Sequence, residues 1–378
     1  MGRIWDKIAD YMRECDKALL FLSLFTGCYG CVAVLSATRA EGGNRQFFMQ
    51  AFCLFLGFWA VVLISQLDYK RIARFWPVVA ALVLVPVILT FFIGYAPGNT
   101  DDKAWLSLGG ISFQPSELLK IGFSITFALH LSRVRPEINK LRNVALLCVH
   151  GGIPVVLIHV QGDDGTALVF GFMFLAMMFA AGLNIWYWIT AFGSAVVAAP
   201  LAYFFLLNDD QRSRILSVFN MGSDPLGADY QQAQGKAALA NGGFFGQGLF
   251  RGSLTQTKNG IPEGHNDFIF TCIGEELGML GCMAVVILLF AICMRILRIS
   301  RSTSDDLGKL ICVGIFAMFA AQSIINLGMC LSLLPVIGVT LPLFSAGGSS
   351  LVCLFMGLGV VMSVHMHRSS LKLHLHDI

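Results

Sequence analysis

The sequence predicts an all-α integral membrane protein of about ten transmembrane helices, with a long extracytoplasmic loop between the seventh and the eighth. Three observations lead there. Of 378 residues, 56% are hydrophobic and only 13% charged, where soluble domains carry about 25% charged residues. The mean hydropathy is +0.72. Apolar runs of roughly 18–25 residues recur along the chain, the length that crosses a hydrocarbon layer about 30 Å thick. A soluble chain of this composition could not cover its surface with polar groups. The net charge of +3 leaves no electrostatic footprint for nucleic acid.

In chain order, residues 1–16 read as an amphipathic segment lying on the membrane, with Ile4, Ile8 and Met12 at helical spacing beside Trp5 and Tyr11. No removable signal peptide is visible. Apolar windows then place helices over about 18–38, 46–66, 75–95, 113–132, 143–160, 165–183, 185–207, 268–294, 309–331 and 344–365. Only Leu183 and Asn184 separate the sixth from the seventh. Residues 208–266 form the long loop, and loops of that length are uncommon unless functional or disordered. Its stretch GKAALANGGFFGQGLF mixes apolar residues with glycine, which suits packing on the membrane surface. The whole chain, 1–378, reads as a single polytopic domain.

Basic residues set the orientation. With a cytoplasmic N-terminus, the inner segments hold Arg3, Lys7, Arg13, Lys17, Lys70, Arg71, Arg74, Arg133, Arg135, Lys140, Arg142, Arg295, Arg298, Arg301, Lys309, Arg368 and Lys372. The short outer loops hold Arg39, Arg45 and Lys103. That asymmetry follows the positive-inside rule, with both termini cytoplasmic.

Several features point away from cofactors. The 11 cysteines lie almost wholly in apolar segments, and Cys28 and Cys31 form a C-x-x-C inside a span, where packing is the better reading. The glycines Gly242, Gly243, Gly246 and Gly248 follow no strand and precede no Lys-Ser/Thr, so they are not a nucleotide loop. His365, His367, His374 and His376 lack acidic or Cys partners at ligand spacing. His130, His150 and His159 read as hydrogen-bonded packing residues.

Ionisable groups within a bilayer are costly and so are candidates for function. Here they gather at the outer half. Glu117 and Lys120, three apart on the fourth span, share a helix face. Asp163 and Asp164 mark the outer turn between spans five and six, Asp267 opens span eight, and Glu275 and Glu276 lie about two turns deeper. Pro335 and Pro342 break the chain between the last two spans. The inner half is expected to be nearly free of such groups. The pattern implies a polar cavity open to the outer surface, suited to a substrate with an ionic head and a lipid tail.

FQPSELLKIG (113–122), QGDDGTALVF (161–170), the stretch from Arg214 to Leu249, IPEGHNDFIFTCIGEELGMLG (261–281) and NLGMCLSLLPVIGVTLPLFSAGGSS (326–350), in that order, resemble the shape, elongation, division and sporulation (SEDS) family. The likeness runs over most of the chain. Two departures stand out: Asp164 where the family pattern has Leu, and Ala346 where it has Tyr. The resemblance implies ten helices and a peptidoglycan glycosyltransferase that polymerises lipid II, a polyprenyl-pyrophosphate-linked disaccharide peptide, on the outer face of the plasma membrane. It implies Asp267 as the essential residue and a class B penicillin-binding protein, a transpeptidase, as partner.

Chemically, inverting displacement of a pyrophosphate needs one base for the acceptor 4-hydroxyl and positive charge on the leaving group, supplied by side chains or by a divalent cation such as Mg2+ or Mn2+. It needs no acid for a poor leaving group, unlike glycoside hydrolysis. Asp267 is the candidate base. Lys120, Arg212 and Arg214 are candidate pyrophosphate contacts, with Glu117 orienting Lys120. Asp163, His265, Glu275 and Ser349 complete the candidate substrate contacts. The rival readings are a lipid II flippase, which predicts polar groups through both halves, and a non-catalytic scaffold of the cell-wall machinery, which predicts that Asp267 is dispensable.

Overall fold

The computed structural model describes residues 10–40, 42, 44–96, 103–108, 111–205, 207, 211–212 and 228–368. Arg214, His374, His376 and residues 1–9 of the amphipathic segment lie outside them; residues 10–14 are helical. The helices are α1 (Lys17–Arg39), α2 (Arg45–Ser65), α3 (Tyr69–Arg74), α4 (Trp76–Ile93), α5 (Pro115–Val134), α6 (Leu141–Val160), α7 (Asp164–Ala181), α8 (Ile185–Phe205), α9 (Ala228–Gly242), α10 (Ile269–Ser302), α11 (Asp306–Cys330) and α12 (Gly348–His367). Each predicted span has a helical counterpart, and the eighth, expected to end at 294, continues to Ser302.

Nine of the described helices are long and apolar enough to cross a membrane: α1, α2, α4, α6, α7, α8, α10, α11 and α12. The remaining predicted span, α5, is of similar length but carries Glu117, Lys120 and His130. Its position explains that polarity. It packs against α4, α6, α7, α11 and α12 and buries most of its residues, so protein and not lipid surrounds it. Around this centre, α2 turns Phe48, Phe52 and Phe55 outward, and α8 leaves its apolar side chains exposed along its length. Those faces are what a lipid-solvated helix presents. His130 and His150 hydrogen-bond to each other between α5 and α6, 3.1 Å apart, as packing histidines.

Two features escape the apolar-window reading. A two-stranded antiparallel hairpin, β1 (Leu106–Leu108) and β2 (Ile111–Phe113), pairs Leu106 with Phe113 and runs directly into α5. The long loop also contains α9, which packs on α10 and α11. The glycine-rich stretch after α9 is woven into α10. At Gly278 the helix breaks, with φ 66° and ψ −161°, and the loop backbone inserts there: Met279 N–H donates to Gly243 O (2.9 Å) and Gly248 N–H to Glu276 O (2.9 Å). A β-carbon on Gly278 would lie 2.3 Å from Gly246 N, and one on Gly242 1.9 Å from Gly274 O. Close backbone approach, not phosphate binding, accounts for these glycines.

The end of the bundle opposite Asp267 is not free of charge, contrary to the sequence expectation, but its acids are paired. Asp16 caps α1 and accepts two bonds from Arg295 Nε, at 2.9 and 2.8 Å. Burial pushes its carboxyl up, yet the Arg295 guanidinium outweighs that and holds it below the usual range. Tyr69 bonds Asp305 and Arg135 pairs with Asp306. These contacts fasten α1 to α10, and α3 and α5 to the start of α11.

Gly278→Ala should therefore cost about 1–3 kcal/mol, from a left-handed conformation and a backbone clash together. The expected observation is a lower midpoint of thermal unfolding in detergent for Gly278→Ala but not for Gly152→Ala, where a β-carbon meets open space. Equal midpoints would remove the interlocked kink as a source of stability.

Candidate active site

Asp267 sits in a tight run of turns that ends at the first residue of α10. Gly264 N–H donates to Ile261 O, and Asn266 N–H and Phe268 N–H both donate to Glu263 O. Phe268 and Ile269 are fully buried, so the apolar start of the helix anchors the run from below. From the side it is held by three consecutive carbonyls. His265 O accepts from Ala346 N–H (2.8 Å), Asn266 O from Ser345 Oγ (2.7 Å), and Asp267 O from Asn326 Nδ2 (2.8 Å). Asn326, fully buried in α11, also donates to Val339 O (2.7 Å). Ser345 Oγ in turn accepts from Leu341 N–H (2.8 Å).

The backbone is clamped while the Asp267 carboxyl, which is partly exposed, makes no hydrogen bond or ion pair among the described residues. Burial, then the nearby Glu263 and Asp163 carboxylates, push its pKa from 3.8 up to about 7. Both influences disfavour charge on Asp267. Near neutral pH such a carboxyl exchanges a proton readily, which is what a general base requires.

Asp163 joins this region from α7. It caps that helix through Thr166 N–H (2.9 Å) and accepts from Gln114 Nε2 (2.8 Å). Gln114 N–H in turn reaches Ser349 Oγ at 3.4 Å, so α5, α7 and α12 meet at one point. The strap after α11 closes over it. A β-carbon on Gly165 would stand 2.3 Å from Ile337 O, and one on Gly338 (φ +69°) 3.8 Å from Asp267 Oδ2. Asp267, Asp163, His265 and Ser349 are thus brought together around residues 337–349.

Other predicted contacts lie elsewhere. Glu275 is fully buried and accepts from Ser253 Oγ (3.0 Å), Leu254 N–H (2.9 Å), Thr255 N–H (2.7 Å) and Thr255 Oγ1 (2.7 Å). Its oxygens are spent on the loop, so a substrate contact is corrected to a structural anchor. Glu276 acts alike, accepting from Ser36 Oγ (2.6 Å) and Gln256 Nε2 (2.9 Å). Glu117 and Lys120 form a buried ion pair at 2.8 Å, 4% and 0% exposed, with Glu117 Oε2 unpartnered. Arg212 donates to Tyr203 O and Phe204 O at the last turn of α8, both at 2.9 Å.

Asp164 bonds His159 Nδ1 (2.5 Å) and Gln211 Nε2 (2.6 Å). That additional acid ties the α6–α7 turn to the start of the loop. Among the described residues no three His, Cys, Asp or Glu side chains converge to hold a metal ion. The positioning residues Asn326, Ser345 and Gln114 were missed in the sequence. The available signal was polarity: each is a small polar group inside or beside an apolar run.

The family model for cell cycle proteins of the FtsW, RodA and SpoVE type matches residues 16–370. The peptidoglycan glycosyltransferase MrdB of Escherichia coli K12 is 32% identical over 373 residues, which cover 97% of this chain and 96% of that protein. The probable peptidoglycan glycosyltransferase FtsW of Geobacter metallireducens is 30% identical over 357 residues, covering 92% and 94%. Among solved structures, a chain from work on a peptidoglycan synthase complex that coordinates polymerization and crosslinking matches with a TM-score of 0.80 at 27% identity, covering 94% of this chain and 99% of that one. The rod shape determining protein RodA of Thermus thermophilus matches with a TM-score of 0.69 at 27% identity, covering 94% and 97%.

Glu275→Ala should strand the half-buried Leu254 and buried Thr255 amides, at about 1–3 kcal/mol each. Amide hydrogen exchange over residues 252–257 is expected to quicken at least tenfold (roughly, from that cost), while Asp267→Asn leaves it unchanged. Unaltered exchange in Glu275→Ala would return that carboxylate to the list of free groups.

Proposed function

The chain belongs to the FtsW, RodA and SpoVE family of cell cycle proteins and is a multi-pass membrane peptidoglycan glycosyltransferase, and from that premise we propose that it polymerises lipid II with Asp267 as the general base. The observation that carries the assignment is the contrast at residues 265–267: three carbonyls held by three donors, and one carboxyl left unpartnered beside them.

In the proposed step, the acceptor 4-hydroxyl gives its proton to an Asp267 oxygen as its own oxygen bonds to the donor sugar C1. The bond from C1 to the pyrophosphate breaks on the opposite face, inverting the anomeric centre and releasing polyprenyl pyrophosphate. The near-neutral pKa of about 7 lets Asp267 accept that proton and then lose it to water before the next cycle. Asp163 and Ser349, joined through Gln114, contact the sugar in this reading, and His265 lines the approach. Lys120, Arg212 and Arg214 are assigned to the leaving pyrophosphate. Lys120 is fully buried, so its part requires that substrate binding open its pocket.

The basic residues along the inner segments favour ten spans, including α5, with both termini cytoplasmic and Asp267 outside. A class B penicillin-binding protein is the proposed partner, in keeping with the structural likeness to a chain from a peptidoglycan synthase complex. At the opposite end Asp16 and Asp306 are each paired with an arginine, which favours polymerisation over transport.

Three outcomes test the reading. Asp267→Ala and Asp267→Asn should lower lipid II polymerisation, read on product gels with and without the partner, by about 10²–10⁴-fold; wild-type polymer from either would end the base assignment. The wild-type rate should rise with pH through about 7 and then level, following deprotonation of Asp267. Stability should move the other way. A carboxyl whose pKa is raised on folding from 3.8 to about 7 favours the folded state fully only below 3.8, and that contribution is lost as pH climbs from there through 7. Asp267→Asn should therefore unfold at a higher temperature than wild type at pH 8, by a margin that shrinks steadily as the pH is lowered from 7 toward 4.

A further inference from the structure

Next to the clamp, between the outer ends of α2 and α12, lies a cavity of about 210 Å³ lined by Arg45, Gln46, Met49, Gln50, Ala346 and Gly348. It shares a wall with the Asp267 segment: Ala346, whose N–H holds His265 O. Gln50 is 1% exposed and gives its Nε2 to Ser345 O at 2.9 Å. Its amide oxygen, the Gln46 side chain and the exposed Arg45 guanidinium have no hydrogen-bond or ion partner among the described residues. Those groups line the cavity and are left over for a ligand. The alanine itself keeps the space open, since the family pattern places the far larger Tyr there.

The lining selects the ligand. A pyrophosphate carries at least two negative charges and calls for more than one cation, whereas a single guanidinium matches one carboxylate in a two-pronged fork. Primary amides offer a donor and an acceptor side by side, the complement of a peptide bond. The volume is below the roughly 300–1,000 Å³ of pockets that enclose a whole small molecule, so it takes one end of a larger one.

We infer that this cavity seats the peptide stem of the lipid-linked substrate, with Arg45 on a stem carboxylate and Gln46 and Gln50 on a neighbouring peptide bond. The inference rests on the polymerase reading above and adds to it a specificity subsite beside the base.

The full chain in nanodiscs is titrated with lipid-linked disaccharide bearing a free-acid stem, an amidated stem, or no stem, and the same three are run on polymerisation gels. In wild type, amidating or removing the stem is expected to weaken binding about tenfold, the scale of one charge-assisted contact. In Arg45→Ala the free-acid and amidated substrates should bind alike, so that the ratio falls to about one. Ala346→Tyr, which fills the cavity with Arg45 intact, should shrink the ratio as well. A ratio in Arg45→Ala equal to that of wild type, or a wild type that does not distinguish the three lipids, overturns the subsite. Wild type that keeps the tenfold ratio but makes no polymer supports the subsite and counts against the polymerase reading.

Discussion

Three neighbouring carbonyls, those of His265, Asn266 and Asp267, are each held by a different donor, and the arrangement of this end of the bundle depends on them. A loop that enters a helix would ordinarily leave these acceptors to water, and its last residues would sample many conformations. Here Asn326, Ser345 and Ala346 take them up, which joins the start of α10 to α11 and to the approach to α12. Because backbone groups do the holding, the Asp267 side chain is free of structural work. A fixed main chain with an uncommitted carboxyl is the preorganised condition that proton transfer favours.

The same physics sorts the remaining acids. Glu275 and Glu276 are as buried as anything in the molecule, but donors from the loop satisfy them, so they hold structure. Asp16, Asp305 and Asp306 meet arginine or tyrosine at the opposite end. Asp164 meets a histidine and a glutamine. What distinguishes Asp267 is neither depth nor motif but the lack of a partner, together with two carboxylates near enough to discourage its charge.

That distinction was not legible in the sequence, whereas the scaffold largely was. Hydropathy reads out the helices because lipid contact demands long apolar runs. Even α5 is legible, since its three charges are few against its length. The hairpin and α9 were not, for their patterns are short, polar and punctuated by glycine, and their stability comes from packing on α10. Glu275 resembles Asp267 in hydropathy, as an acid beside an apolar segment, and the family motif that singles out Asp267 does not say that Glu275 is spent on the loop. Telling them apart needs the donors of residues 253–255, which are about twenty positions away and become neighbours only because α10 breaks at Gly278. The lining of the α2–α12 cavity is scattered too, from residue 45 to residue 348.

Asn326 has a bearing on how the molecule is made. Its one amide group bonds Asp267 O, already synthesised, and Val339 O, still to come. Ser345 and Ala346 finish the grip later still. A ribosome delivering this chain into the bilayer releases Asp267 well before the residues that will steady it, so for some dozens of elongation steps α10 stands in the membrane with its threshold unsupported. Domains mature as their segments emerge; here all three carbonyls are held only once residues 345 and 346 have been made, so a chain stopped short of them lacks the complete clamp.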